Sequence, residues 1–165
     1  MIHKDYHRTM LVRCYQLAQA SPDTSTQNGA IIVNTEGKEI GSGCNEFTKG
    51  INVTPEILMR PLKYAYIEHA ERQAIFDATL NGNKTLGATM FCPWSASSDC
   101  ARAIVQSGIV LLVRHMDAIV KSPKNWAESI KIADHILRAG KVDIVEISGK
   151  LGAPAILQNG VLCRP

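Results

Sequence analysis

The run Ile109 to Val113 is apolar and rich in β-branched residues, and helical stripes lie on either side of it. A strand of that composition needs cover on both faces, which commits the chain to a layered α/β arrangement. The neighbouring segments extend the pattern. Met10, Leu11, Cys14, Leu17 and Ala18 recur at helical spacing, predicting a helix over about Lys4 to Ala20. Ser21 to Asn28 reads as a loop, Ala30 to Val33 as a short strand, and Glu39 to Asn45 as its hairpin partner across Glu36-Gly37. Glu46 to Arg60 has no clear element, and long loops of that kind are often binding loops. Ile67, Ala70, Ala74, Ile75 and Ala78 signal a second helix, closed by Asn81-Gly82. Thr89 to Phe91 predicts a strand, and Ser97 or Ser98 caps a third helix running to Gly108. Ser122 with Pro123 predicts the start of a fourth helix, whose stripe is Trp126, Ile130, Ala133 and Leu137. Val142 to Ile147 reads as a last core strand, and the tail as a small hairpin around Asn159-Gly160. The expected fold is a three-layer α/β/α sandwich around a mixed five-stranded sheet, a single domain over residues 1–165.

Composition limits the function classes. With 45% apolar and 20% charged residues the chain is neither disordered nor a coiled coil. No apolar run is long enough to span a bilayer. The first residues carry charge without an apolar stretch behind it, so a signal peptide is not expected and a cytoplasmic location is. The 18 basic and 15 acidic residues leave a net charge of only +3, which argues against a nucleic-acid partner and leaves room for a small phosphorylated ligand. The five cysteines are odd in number, and a disulfide framework is not expected. Cys14 and Cys44 read as buried apolar residues, and Cys163 as incidental.

Dinucleotide, P-loop, esterase-elbow and HExxH signatures are absent. One constellation remains. His69-Ala70-Glu71 opens the second helix, and Cys100 lies in the first turn of the third, after Cys92-Pro93-Trp94. An H-x-E followed by P-C-x-x-C is the pattern of zinc deaminases. Replacing an exocyclic amine with oxygen needs a hydroxide at neutral pH, which zinc supplies by lowering the pKa of water, and a carboxylate off the metal to move protons. A helix N-terminus at Cys100 is expected to favour the thiolate.

The runs Ile67 to Ile75 and Met90 to Ile109 resemble the cytidine and deoxycytidylate deaminase superfamily, and most of all its dCMP deaminase type from bacteria and phages. Asn28 to Val33 resembles that family's first strand, and Gly43-Cys44-Asn45 its Gly-x-Asn strand end. Lys150-Leu151-Gly152 and Ala155 to Gly160 are similar to a tail of some members. The resemblance implies a hydrolase that converts dCMP or a close relative to the uracil form with release of ammonia, on a small-molecule nucleotide substrate. It implies Zn2+ held by His69, Cys100 and the position of Ser97, with Glu71 as the proton carrier. The backbone around Ala70 and Ser95 would read the base edge, Asn45 would hold the sugar hydroxyl, and Asn28 would line the pocket. Homo-oligomers, dimers or hexamers, are implied as well.

Ser97 departs from the family, which has the first cysteine there and a proline at Ala96. A neutral hydroxyl is a poorer zinc ligand than a thiolate. Three readings stay open: weak binding through Ser97, rescue by Cys92, or an empty site in a nucleotide-binding protein that has lost its chemistry. Glu71 could also be a first-turn acid stabilising its helix, and Asn45 a strand-ending turn residue. Arg60 and Lys63 could hold a 5′-phosphate or be a solvated loop. Tyr66 or Trp94 could stack on a base. His3, His7, His115 and His135 are expected at the surface or on helices, and the Trp126 stripe in the core or a subunit contact.

Overall fold

A computed structural model describes residues 4–122 and 126–165. The chain begins with helix α1 (Lys4–Ala18), followed by β1 (Gly29–Val33), β2 (Glu39–Cys44) and the short β3 (Glu46–Phe47). A single 3-10 turn (Leu62–Ala65) leads to β4 (Ile67–Glu68) and α2 (Ala70–Leu80). Next come β5 (Thr89–Phe91), α3 (Ser98–Gln106), β6 (Leu111–His115) and a short α4 (Met116–Val120) that the sequence pattern did not predict. Helix α5 (Ala127–Ala139), β7 (Asp143–Ile147) and the hairpin β8 (Ile156–Gln158) and β9 (Val161–Cys163) complete it. Pro123, expected at a helix start, and His3 lie outside the described residues.

The five-stranded sheet has the order β2-β1-β5-β6-β7. Strand β1 is antiparallel to β2 and β5, and β5, β6 and β7 run parallel, so the sheet is mixed as expected. Alternation along each strand sorts the core into two clusters. Ile31, Val33, Phe91 and Val113 pack with Met10, Leu11 and Cys14 of α1. Ala30, Ile32, Met90 and Leu112 pack on the other face with Ala74, Ala78, Ile104, Ala133 and Leu137 of α2, α3 and α5. This period-two division makes β1, buried at all five positions, a strand covered on both sides.

Two expectations shift. The strand predicted over Ile109 to Val113 runs instead from Leu111 to His115. The last strand lies at the sheet edge, and only Ile147 within β7 is buried, because β6 is its one neighbour in the five-stranded sheet.

The approach of α2 to β2 is unusually close, and it fixes the site helix. A Cβ at Gly43 would lie 2.7 Å from the Ala74 backbone nitrogen, and one at Gly41 2.8 Å from the Ala78 Cβ. Glycine on the strand and alanine on the helix permit that contact, where larger side chains would push α2 outward. Among the described residues no helix is long and apolar enough to cross a membrane.

Candidate active site

The antiparallel pair of β3 with β4 leads the chain into α2, and His69, with extended backbone (φ −78°, ψ 152°), is the N-cap of that helix. Ser97 plays the same part for α3, where its Oγ accepts the Cys100 backbone N–H at 3.2 Å. Since α2 and α3 pack side by side, their first turns meet. His69 Nδ1 and Cys100 Sγ stand 3.5 Å apart, and with a Glu71 carboxylate oxygen they form a cluster whose atoms all lie within 4.8 Å. Cys100 is fully buried and Glu71 is 2% exposed, yet Glu71 takes part in no ion pair among the described residues.

Two donors of this cluster fit a zinc ion. Bonds of about 2.3 Å to sulfur and about 2.05 Å to imidazole nitrogen at a tetrahedral angle place the two donor atoms about 3.6 Å apart, and 3.5 Å is found. Ser97, at the position the resemblance gives to a third ligand, lines the same cavity, and its hydroxyl spends one lone pair on the helix and keeps the other. Cys92 does not complete the set. Its buried sulfur accepts Asn28 Nδ2 at 3.2 Å and is not a member of the cluster. The expected thiolate-favouring effect of the α3 N-terminus at Cys100 is overridden: burial, followed by the Glu71 carboxylate, pushes the thiol well above its usual range. Such a thiol is released to the thiolate form by a cation at the site.

A single cavity opens beside this cluster, and His69, Glu71, Ser97, Asn28, Asn45, Trp94 and Ser95 all line it. Ala70 does not, and its expected role is corrected. Its backbone N–H donates to Asn45 Oδ1 at 3.0 Å and is not open to a base. Asn45, expected on a sugar hydroxyl, lines the cavity and is partly engaged in structure, since its Nδ2 also donates one hydrogen to the Thr26 carbonyl at 2.9 Å and keeps the second. Asn28 uses its Nδ2 on Cys92, and Ser95 Oγ accepts from the buried Arg114 at 3.4 Å. Arg114 in turn is held by Asp134 and Glu146.

The predicted cation pair separates. Lys63 is 2% exposed, and its Nζ donates to both oxygens of Asp23 at 2.9 Å. Asp23 Oδ1 also accepts the backbone N–H groups of Ser25 and Thr26. A chain of bonds thus runs from Lys63 through Asp23, Thr26 and Asn45 to the first residue of α2. Arg60 remains exposed at the cavity.

Several lining residues were hidden in the sequence. Trp126 and Ile130, expected in the core stripe, line the cavity, and the Trp126 ring stands 6.0 Å from that of Trp94. Tyr64, not Tyr66, is the tyrosine on the wall. Asn159 reaches the cavity from the tail hairpin. His7 lies on α1, as expected, and is buried, while His115, at the end of β6, is buried rather than superficial. His115 Nε2 donates to the Gly149 carbonyl, which leaves Nδ1 to accept the Tyr15 hydroxyl at 2.8 Å.

Comparison with known proteins agrees with this geometry. The deoxycytidylate deaminase of Mus musculus is 37% identical over 99 residues, which cover 56% of this chain and 54% of that protein. The deoxycytidylate deaminase of Enterobacteria phage T4 is 38% identical over 82 residues, 50% of this chain and 38% of that protein. The chain therefore spans about half the length, or less, of these relatives. The fold is shared with the dCMP deaminase of cyanophage S-TIM5, solved in complex with dCMP and dUMP, at a TM-score of 0.71 and 17% identity, covering 89% of this chain and 100% of that one. A family model, the cytidine and deoxycytidylate deaminase zinc-binding region, matches residues 4–116, the stretch from α1 to the end of β6 that carries His69, Glu71 and Cys100. By that match this chain belongs to the cytidine and deoxycytidylate deaminase family.

Proposed function

We propose that the chain is a hydrolytic deaminase of a cytosine nucleotide, dCMP or a close relative, releasing ammonia and leaving the uracil form. The observation that carries this reading is the buried Glu71 carboxylate, free of any ion pair among the described residues, within 4.8 Å of His69 and Cys100 at one cavity. His69, Cys100 and Ser97 would hold zinc, which when bound lends Lewis-acid activation of water near neutral pH. Glu71 does the proton work. It accepts a proton from the attacking water, passes it to the ring nitrogen beside the reacting carbon, and serves again as the amine leaves as ammonia. A carboxylate tied up by an arginine would be a poor carrier, and the nearest arginine in sequence, Arg72, is turned to Glu68 and Asp99.

The cavity walls suit a flat ring. Trp94 and Trp126 present aromatic surface, and Ile67 and Ile130 add apolar area. Asn28 and Ser95 supply hydrogen-bonding side chains to the same cavity. The substrate class is supported by the named activities of the two relatives above and by the nucleotides bound in the cyanophage enzyme.

The test is ammonia release from dCMP, CMP, cytidine and guanine by the purified protein, with Glu71→Ala as control. Release from a cytosine nucleotide, lost in the variant, is the expected result. Turnover that survives Glu71→Ala removes Glu71 from the chemistry. Zinc-free protein that binds dCMP without releasing ammonia would instead establish a binding protein of deaminase fold.

A further inference from the structure

The tail hairpin lies beyond the stretch that the family model matches, yet it contributes to the cavity. It is firmly docked. Ile156 packs with Tyr15 and Ala18 of α1. Backbone bonds tie the hairpin to the loop before β1: Gln27 N–H to the Leu157 carbonyl at 2.8 Å and Gly160 N–H to the Ser25 carbonyl at 2.7 Å. Asn159 N–H also donates to Thr26 Oγ1 at 3.2 Å. At the tip, Asn159 and Gly160 both adopt positive φ (53° and 78°), the conformation of a tight two-residue hairpin turn that asparagine and glycine accept.

This tip holds Arg60. The Arg60 Nη2 donates to Asn159 Oδ1 at 3.1 Å and to Ser25 Oγ at 2.8 Å, and the guanidinium carbon stands 5.8 Å from the centre of the Tyr64 ring. Both oxygens are neutral, so they orient the guanidinium without cancelling its charge. Lys63, the other cation at the cavity, is neutralised by Asp23. Arg60 forms no ion pair among the described residues, and no hydrogen bond among them uses its Nε or Nη1. An arginine held on one edge by neutral acceptors, with its other donors free, is arranged to take two oxygens of a phosphate.

We propose that Arg60, positioned by Asn159 of the tail hairpin, recognises the phosphate of a nucleoside monophosphate, so that this hairpin sets the preference for nucleotide over nucleoside. The inference rests on the proposed function, with the base beside Glu71 and the dianionic phosphate at Arg60, both of which line the cavity. Asn159 is a positioning residue and does not itself need to touch the ligand.

Calorimetric titration with dCMP and with deoxycytidine tests this, in a Glu71→Ala background so that neither ligand is consumed. The parent is expected to favour dCMP by about tenfold or more, the scale of one charge-assisted bidentate contact. Arg60→Gln, an exposed substitution, should bring the two affinities within about twofold by weakening dCMP alone. Asn159→Gly keeps the positive φ and removes the side-chain oxygen. It should lower the dCMP preference several-fold and leave deoxycytidine binding unchanged, whereas a merely structural role would weaken both. An unchanged dCMP affinity in Arg60→Gln overturns the assignment while leaving the cytosine pocket in place. Failure of the parent to bind either ligand overturns the nucleotide reading, and this inference with it.

Discussion

Lys63→Met should be among the more damaging single changes available outside the cluster of His69, Glu71 and Cys100. The side chains of Lys63 and Asp23 are 3% and 4% exposed, and Nζ donates to both carboxylate oxygens at 2.9 Å. Methionine fills much of the volume of lysine but strands a buried carboxylate. Removing one partner of a buried pair costs about 3–5 kcal/mol. The two backbone N–H groups that Asp23 keeps, from Ser25 and Thr26, place the expected loss near the lower end, about 3 kcal/mol. For a chain of this length that corresponds to a fall in Tm of roughly 6–12 °C. The double variant Lys63→Met/Asp23→Asn removes both charges and keeps an oxygen for the two N–H groups, so it should recover most of the loss, to within about 1–2 kcal/mol of the parent. Urea denaturation of the four proteins of this cycle measures the coupling directly. A Lys63→Met protein within about 0.5 kcal/mol of the parent, or a double variant as unstable as the single, would refute the reasoning. Because Thr26 relays this anchor to Asn45 and α2, the single variant should also bind dCMP more weakly.

The remaining predictions concern the seat of α2 and the buried histidine. Gly43→Ala inserts a methyl group against Gln73 and Ala74 and should cost about 1–3 kcal/mol in chemical denaturation, with loss of activity because α2 carries Glu71; a neutral effect would mean that α2 has room to retreat. Burial holds the His115 imidazole below its ordinary range, opposed in part by the Gly149 carbonyl and Asp117, so the folded state favours the neutral ring. Its contribution is complete above the unfolded value of about 6.5 and is lost as the pH falls through the lower folded value. Stability should therefore decline below about pH 6.5, and less steeply in His115→Gln; identical slopes in the two proteins would exclude His115 as a source of that decline.

Which features were readable in advance follows from the range of the interactions that make them. Helices and strands announced themselves through local periodicity, and the Gly-rich strand Glu39–Cys44 paired as expected because its partner is adjacent in sequence. His69, Glu71 and Cys100 were legible because each sits in the first turn of a helix or at its cap, so local spacing fixes their direction. Trp126 and Ile130 were not, since a helical stripe looks the same whether its end meets the core or overhangs a cavity. Lys63 offered no sign that it would be buried, because its counter-charge lies in a distant loop. Asn45 and the Ala70 N–H look free in the sequence, and only the fold shows that they satisfy each other. Asn159 was expected at a turn, but its hold on Arg60 joins segments that nothing local connects.

The central claim, that His69, Cys100 and Ser97 form a zinc site beside Glu71, is tested most directly by X-ray absorption at the zinc edge on the purified protein and on Ser97→Cys. The account predicts a single sulfur neighbour at about 2.3 Å with nitrogen and oxygen at about 2.0–2.2 Å in the parent. In the variant it predicts two sulfurs and a higher zinc content per chain. Two sulfurs already in the parent, or no zinc in either protein, would contradict it.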